Sequence, residues 1–346
     1  MESLLATLQK LKKRGYFPSS MKRKNEPIPA SELQGVYTAI ITPFKRNGDA
    51  VKPEIDHDNL AMLIEDQIAA GIDGIVAAGT TGQSATLTHE EHVELVHFTF
   101  DRIDGRTRLI ASAGSNSTYE AIDLSNRIAE AIGPTTFLHV TGYYNNPPQE
   151  GLLAHYTAVA SNLAGGSNII LYNVPSRTNS NIDKKTVLTL SSNPKIIGIK
   201  QAIDDMRLIE DIRLATDPSS FRILSGEDGI VASMIYRGAY GVISASANVA
   251  PKHFLSIVEA GLAKDREKAS LLQAQIRPLV NAVFSAKNPI PLAYLFNTAV
   301  RLPLVDLEMI DLARKGQPSI RHEIDDIMSR YTPEQLGIDL KKYKNS

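Results

Sequence analysis

The stretch "IIGIKQAIDD", residues 196–205, decides how this chain is read. Its first four residues are apolar or glycine and read as a buried β-strand; the fifth is Lys200. A cation in a low-dielectric interior is unfavourable, so such a lysine pairs with an anion, snorkels to water, or gives up its proton. The last case makes it a nucleophile. Strand alternation puts Ile196, Gly198, Lys200 and Ala202 on one face and Ile197, Ile199 and Gln201 on the other. With the isoleucines packed on helices, Lys200 faces the opposite side, and Gly198 leaves room beneath it.

Seven more segments share this strand character: "VYTAIITPF" (36–44), "GIVAAGT" (74–80), "LIASAG" (109–114), "TFLHVTG" (136–142), "NIILYNV" (168–174), "FRILSG" (221–226) and "GVISASA" (241–247). Between them run segments of helical periodicity such as "NLAMLIEDQIAAG" (59–71) and "EEHVELVHFTFDRI" (90–103), long enough for parallel crossovers. Eight strand-helix units within the ~250 residues usual for the fold predict a TIM barrel, (β/α)8, over residues 36–262. An open doubly wound sheet is disfavoured, because no Gly-x-Gly-x-x-Gly follows the first strand. From 263 to 346 the strands stop, and "REKASLLQAQIRPLVNAVFS" and "SIRHEIDDIMSRY" read as an appended C-terminal helical region.

Residues 1–35 form a basic arm, with Leu4, Leu5, Leu8 and Leu11 at helical spacing followed by clustered Lys and Arg. The arm reads as a flexible or interface segment; an organelle transit segment is the alternative, against which Glu2 and the limited serine content count. Balanced charge, Lys+Arg 37 against Asp+Glu 38, argues against nucleic acid or an anionic membrane as partner and for small molecules. No apolar run reaches the roughly 20 residues of a membrane span. Zero Cys excludes disulfides and thiolate chemistry and makes the reducing cytoplasm the default compartment.

In a TIM barrel the chemistry sits at the C-terminal strand ends, and three ends besides that of Lys200 carry matching groups. "ILYNVPSRT" supplies Tyr172, a proton carrier or plain core, and Arg177, a carboxylate clamp or plain surface charge. "AAGTTGQSATL" supplies small residues, hydroxyls and free amides suited to a carboxylate, without the Gly-Lys-Ser/Thr of a phosphate loop. "TGYYNNPPQEG" supplies Tyr143 and Tyr144.

Gly-Thr-Thr-Gly, Tyr-Tyr-Asn, Tyr-Asn-Val-Pro-Ser-Arg-Thr and Gly-Ile-Lys, in this order at these strand ends, make the chain resemble the dihydrodipicolinate synthase / N-acetylneuraminate lyase family of pyruvate-dependent aldolases. The resemblance spans about 36–262 and continues through "NPIPLAYLF" (288–296). It implies a homo-oligomer, dimer or tetramer, with no metal or organic cofactor. Arg177 makes it similar to the branch that condenses pyruvate with aspartate semialdehyde to 4-hydroxy-tetrahydrodipicolinate, not to the sugar-acid lyases. By resemblance Lys200 forms the pyruvate Schiff base; Tyr172, Thr80 and Tyr144 form a proton relay, Tyr144 reaching across a dimer interface. Thr80 and Thr81 bind the pyruvate carboxylate, Arg177 that of the aldehyde, and Ile243 lines the pocket floor. Gln83 and the Gln201 of "KQAIDD" depart from the family's usual glutamates, which leaves open a related aldolase acting on another aldehyde. A silent keto-acid-binding paralogue is the reading from a different class, and the intact relay argues against it.

"TLTHEEH" predicts a capping box of Thr88 with Glu91, and "STYE" the same for Ser117 with Glu120. Capping does not account for His89 and His92, which share one helical face at i, i+3 and miss the i, i+4 zinc spacing. In lysine-sensitive members of the family, positions matching Ser84, Ala85, His89, His92, Asn116, Glu120 and Tyr143 hold the inhibitor. The resemblance therefore implies a lysine site beside the relay tyrosine.

Overall fold

The computed structural model describes residues 25–46, 51–314 and 316–344; the helical reading of residues 4–11 lies outside them. Eight strands run β1 Gly35–Ala39, β2 Gly74–Ala77, β3 Arg108–Ser112, β4 Thr136–Val140, β5 Asn168–Asn173, β6 Ile196–Gln201, β7 Arg222–Ser225 and β8 Gly241–Ser244. Each pairs in parallel with the next, and β8 returns to β1 to close the barrel. The strands end earlier than the apolar runs suggest. Residues 40–44 and 78–80, for example, stay buried or nearly so but leave the ladder to build the loops of the barrel mouth.

Two apolar cores result. Outside the strands, residues such as Ile75, Leu109, Ile169, Ile196 and Ile199 pack against the helical ring. Inside lie Tyr37, Val76, Ile110, Leu138, Ile170, Tyr172, Ile197, Leu224 and Ile243. Ile196 and Ile197 both correct the strict alternation read from the sequence, which placed the first inside with Lys200 and the second outside. Between β5 and β6 the register slips, Ile169 pairing with Ile196 but Ile170 with Gly198. The extra residue of that bulge turns Ile197 inward, and alternation resumes with Ile199 out and Lys200 in.

The last residues of the stretch read as an arm are part of the barrel. Ile28 and Leu33 are buried in the interior core. Ile28 N donates to Thr136 Oγ1 at 2.7 Å, Asn168 Nδ2 donates to Ile28 O at 2.9 Å, and Asn25 Nδ2 reaches the Pro134 carbonyl. This segment plugs the end of the barrel opposite the site. It also corrects the reason for Gly198, whose added Cβ would run into the Arg222 carbonyl and Leu33 Cδ2 and not toward the lysine amine.

Beyond the eighth strand, helix Pro251–Leu262 completes the ring and helix Arg266–Val283 packs on it. Arg301, 2 % exposed, ties the later segment down: its guanidinium donates to both Glu91 oxygens at 2.7 and 2.8 Å and to the carbonyls of Pro53 and Thr86. Among the described residues no helix is long and apolar enough to cross a membrane.

Candidate active site

A cavity of about 470 Å³ opens at the C-terminal strand ends. Lys200, Tyr172, Thr80, Thr81, Arg177 and Ile243 all line it. Lys200 is 7 % exposed, and its Nζ lies 4.3 Å from the centroid of the Tyr172 ring. The two residues face one another across neighbouring strands because Tyr172 pairs with Lys200 in the register. Among the described residues none hydrogen-bonds Nζ or pairs closely with it; the carboxylates of Glu227 and Asp228, on the lining of the same cavity, act on it electrostatically from further away.

The room for Lys200 comes from Gly226, just past β7. A Cβ there would stand 2.9 Å from Lys200 Cε and 3.0 Å from Cγ. The Thr80-Thr81 turn is set by backbone bonds from Gln83 N to Thr80 O (3.1 Å) and Ser84 N to Gly79 O (3.3 Å), with Gln83 in the left-handed region at φ 58. The roof is the segment after helix Arg266–Val283. Asn288 Nδ2 donates to Thr81 Oγ1 at 3.0 Å, and Arg177 Nη2 donates to Asn288 O at 3.2 Å. Phe284, Asn288, Glu227 and Asp228 line the cavity as well and were not among the residues expected there. Glu227 and Asp228 follow directly on a strand, where the rule about strand ends would have found them. Asn288 comes from the appended helical region, and nothing in the local pattern says that it folds back.

Neither departing glutamine lines the cavity. Gln83 Oε1 accepts from Arg301 N at 3.1 Å, and Gln201, fully buried on the outer face of β6, accepts from Asn173 Nδ2 at 2.8 Å. Tyr144 also stands outside its own chain's cavity, 98 % exposed and at φ 67.

The second predicted cluster lies behind β3 and β4. Thr88 and Glu91 form the expected capping box at the start of helix His89–Ile103. At Ser117 only half of the predicted box forms. Ser117 Oγ accepts from Glu120 N, but the Glu120 carboxylate turns away to His89 Nε2 at 2.9 Å and to the Ser115 hydroxyl. Asn116 Oδ1 accepts from Tyr143 N at 2.9 Å. His92 faces inward, 5 % exposed, with Nε2 2.7 Å from the Ser112 carbonyl. Burial lowers its pKa to about 4, so the ring is neutral. Ser84 and Ala85 sit in the short 3-10 turn just before that helix.

A buried lysine thus faces a tyrosine at the mouth of a closed parallel barrel, beside a hydroxyl-rich turn. The model of the dihydrodipicolinate synthetase family matches residues 32–324. The chain belongs to that family. A relative from Haloarcula marismortui named 4-hydroxy-tetrahydrodipicolinate synthase is 41 % identical over 264 residues, 76 % of this chain and 83 % of that one. The crystal structure of the chloride-inhibited dihydrodipicolinate synthase from Acinetobacter baumannii complexed with pyruvate matches with a TM-score of 0.78 at 33 % identity, covering 89 % of this chain and 100 % of that one. The structure of the synthase from Cyanidioschyzon merolae with lysine bound matches at 0.77 and 32 % identity, covering 86 % and 97 %. The synthetase family and the eightfold barrel read from the sequence therefore both hold.

Proposed function

We propose that the chain condenses pyruvate with aspartate semialdehyde, through a Schiff base on Lys200, to give 4-hydroxy-tetrahydrodipicolinate. The observation that carries this reading is the buried Lys200 amine, free of any ion pair, in a cavity that holds both hydroxyls and an arginine. Nζ attacks the keto carbon, water leaves, and the iminium that remains acidifies the adjacent methyl group. Loss of a methyl proton gives an enamine whose carbon adds to the aldehyde. The substrate's amino group then closes the ring onto the former keto carbon and releases Lys200.

The hydroxyls of Thr80 and Thr81 take the pyruvate carboxylate, and Arg177 takes the carboxylate of the aldehyde by a charge-assisted pair. Tyr172, in contact range of the lysine, carries protons to and from the reacting centre with Thr80. Tyr144 completes that relay in a second copy of the chain, which suits an exposed aromatic held outside its own cavity. Ile243 forms apolar floor under the pyruvate methyl. A pyruvate complex of a relative with this fold supports the first substrate, and a lysine complex of another supports Ser84, Ala85, His89, His92, Asn116, Glu120 and Tyr143 as an inhibitor site.

Borohydride tests the covalent step. Reduction in the presence of pyruvate should leave one adduct per chain, on Lys200, and aspartate semialdehyde should then fail to restore turnover. Labelling of another lysine, or of none, would refute the mechanism.

A further inference from the structure

The cavity has walls of opposite charge. On one side Arg177 is held toward it by its bond to the Asn288 carbonyl, with Lys287 nearby; on the other stand Glu227 and Asp228. Since β5, β6 and β7 are successive neighbours, the loops that carry Arg177 and Glu227 flank Lys200 on its two sides.

Within its own loop the Glu227 carboxylate takes one bond, from the backbone N–H of Gly229. Ser225 Oγ donates to Glu227 O at 3.0 Å and accepts from Glu227 N at 3.2 Å, which fixes the turn. No side chain among the described residues hydrogen-bonds or ion-pairs with the half-buried Glu227 carboxylate. Its neighbour Asp228 is 1 % exposed; Oδ2 accepts from Ser246 N at 2.8 Å, while Oδ1, equally buried, makes no hydrogen bond. Burial first, and the Asp228 charge second, push the Glu227 pKa upward, with Lys200 opposing. With no side chain hydrogen-bonded to Glu227 and one Asp228 oxygen lacking any hydrogen bond, this cavity wall presents two carboxylates to an entering cation.

We propose that Glu227 determines specificity for the second substrate by receiving the ammonium of an α-amino aldehyde whose carboxylate goes to Arg177, an inference that rests on the condensation proposed above. The opposed walls complement a zwitterion. An aldehyde acid without an ammonium would meet Glu227 with like or unmatched charge, so the same residue that attracts one substrate disfavours the other. Asp228 supports Glu227 as a second negative charge, anchored on the Ser246 amide.

Glu227→Gln, which keeps the size and removes the charge, separates the possibilities. Against aspartate semialdehyde kcat/KM should fall roughly 10- to 100-fold, the worth of a charged hydrogen bond. Succinate semialdehyde has the same skeleton without the amino group and cannot close the ring, so it is read as an inhibitor. Its inhibition constant should be unchanged or tighter in the variant, which also reports that the site is still folded. Borohydride trapping of pyruvate on Lys200 should persist, and Glu227→Asp should retain part of the lost activity. Equal weakening toward both aldehydes, or no weakening, would overturn the assignment. A wild-type protein that traps pyruvate yet makes no product from aspartate semialdehyde would instead defeat the condensation reading, and this inference with it.

Discussion

Replacing Gly226 by alanine should disable the Lys200 amine while leaving the barrel folded. The new Cβ would stand 2.9 Å from Ala202 Cβ, 2.9 Å from Lys200 Cε and 3.0 Å from Lys200 Cγ. Carbon atoms rest at about 3.5–4.0 Å, so each contact falls short by roughly 0.5–1 Å. Ala202 has no torsion with which to retreat, but the lysine stem has several. The strain is therefore relieved mainly by swinging Lys200 away from Tyr172. Gly226 is not among the glycines at positive φ, so alanine adds no backbone strain of its own. Overpacking of this size destabilises by about 1–3 kcal/mol, small for a barrel with this much buried core. A reacting atom displaced by ~1 Å loses on the order of 10²-fold in rate. The assay is the rate of pyruvate adduct formation on Lys200, trapped with borohydride and followed by mass spectrometry, beside a thermal melt. Gly198→Ala is the contrast: its Cβ meets the β7 backbone and Leu33, so it should lower the melting temperature more and adduct formation less. Wild-type trapping rate and turnover in Gly226→Ala would refute the claim that this glycine makes the room for the amine.

Glu120→Ala should raise the lysine concentration needed for half-inhibition at least several-fold while leaving uninhibited turnover near wild type, because the Glu120 carboxylate contacts His89 and Ser115 and not the cavity; superimposable inhibition curves would remove the lysine site. His139 is fully buried between Ser125 and Phe137, and burial lowers its pKa to about 3. The folded ring stays neutral while the unfolded chain binds a proton below about pH 6.5, so its contribution to stability is intact above that pH and is lost on acidification, by about 2 kcal/mol between pH 7 and pH 5. Urea midpoints at the two pH values should therefore lie closer together in His139→Gln than in wild type, and equal separations would refute the effect.

The barrel was legible because eight apolar runs alternate with helical periodicity, a pattern that only parallel crossovers satisfy. What the pattern could not carry was the phase of one strand. A bulge at Ile196–Ile197 inserts a residue without leaving any local signal, and it exchanged the faces of Ile196 and Ile197 while sparing Lys200, which lies beyond it. The plug formed by Ile28 and Leu33 was equally hidden. Proline-rich coil reads as loose until the barrel end that it fills is known. Lys200, Tyr172, Thr80, Thr81 and Arg177 could be grouped because each stands at or near a strand end, and Ile243 joined them through the family resemblance. Asn288 could not be, since it enters from the far side of helix Arg266–Val283 and meets Thr81 only through the fold, 207 residues away in sequence.

Gln201 illustrates how a residue type misleads when its face is ignored. Beside the lysine, an amide in place of a carboxylate suggests altered substrate chemistry. Yet the alternation that turns Lys200 inward turns Gln201 outward, and there it accepts from Asn173 Nδ2, which also bonds Asn181 Oδ1 at 2.7 Å. Asn173 Oδ1 in turn accepts from Ile182 N at 3.1 Å. Asn173 follows Tyr172 as Gln201 follows Lys200, and both pairs face each other in the β5–β6 register. The β5–β6 ladder sets the tyrosine level with the lysine on the inner face, and the side-chain hydrogen bond on the outer face reinforces that register. A neutral amide in this fully buried position avoids the desolvation penalty of a glutamate's charge, at the smaller cost of leaving Gln201 Nε2 without a hydrogen bond. The departure thus lies outside the cavity, whose lining residues are the ones proposed above to read the substrate.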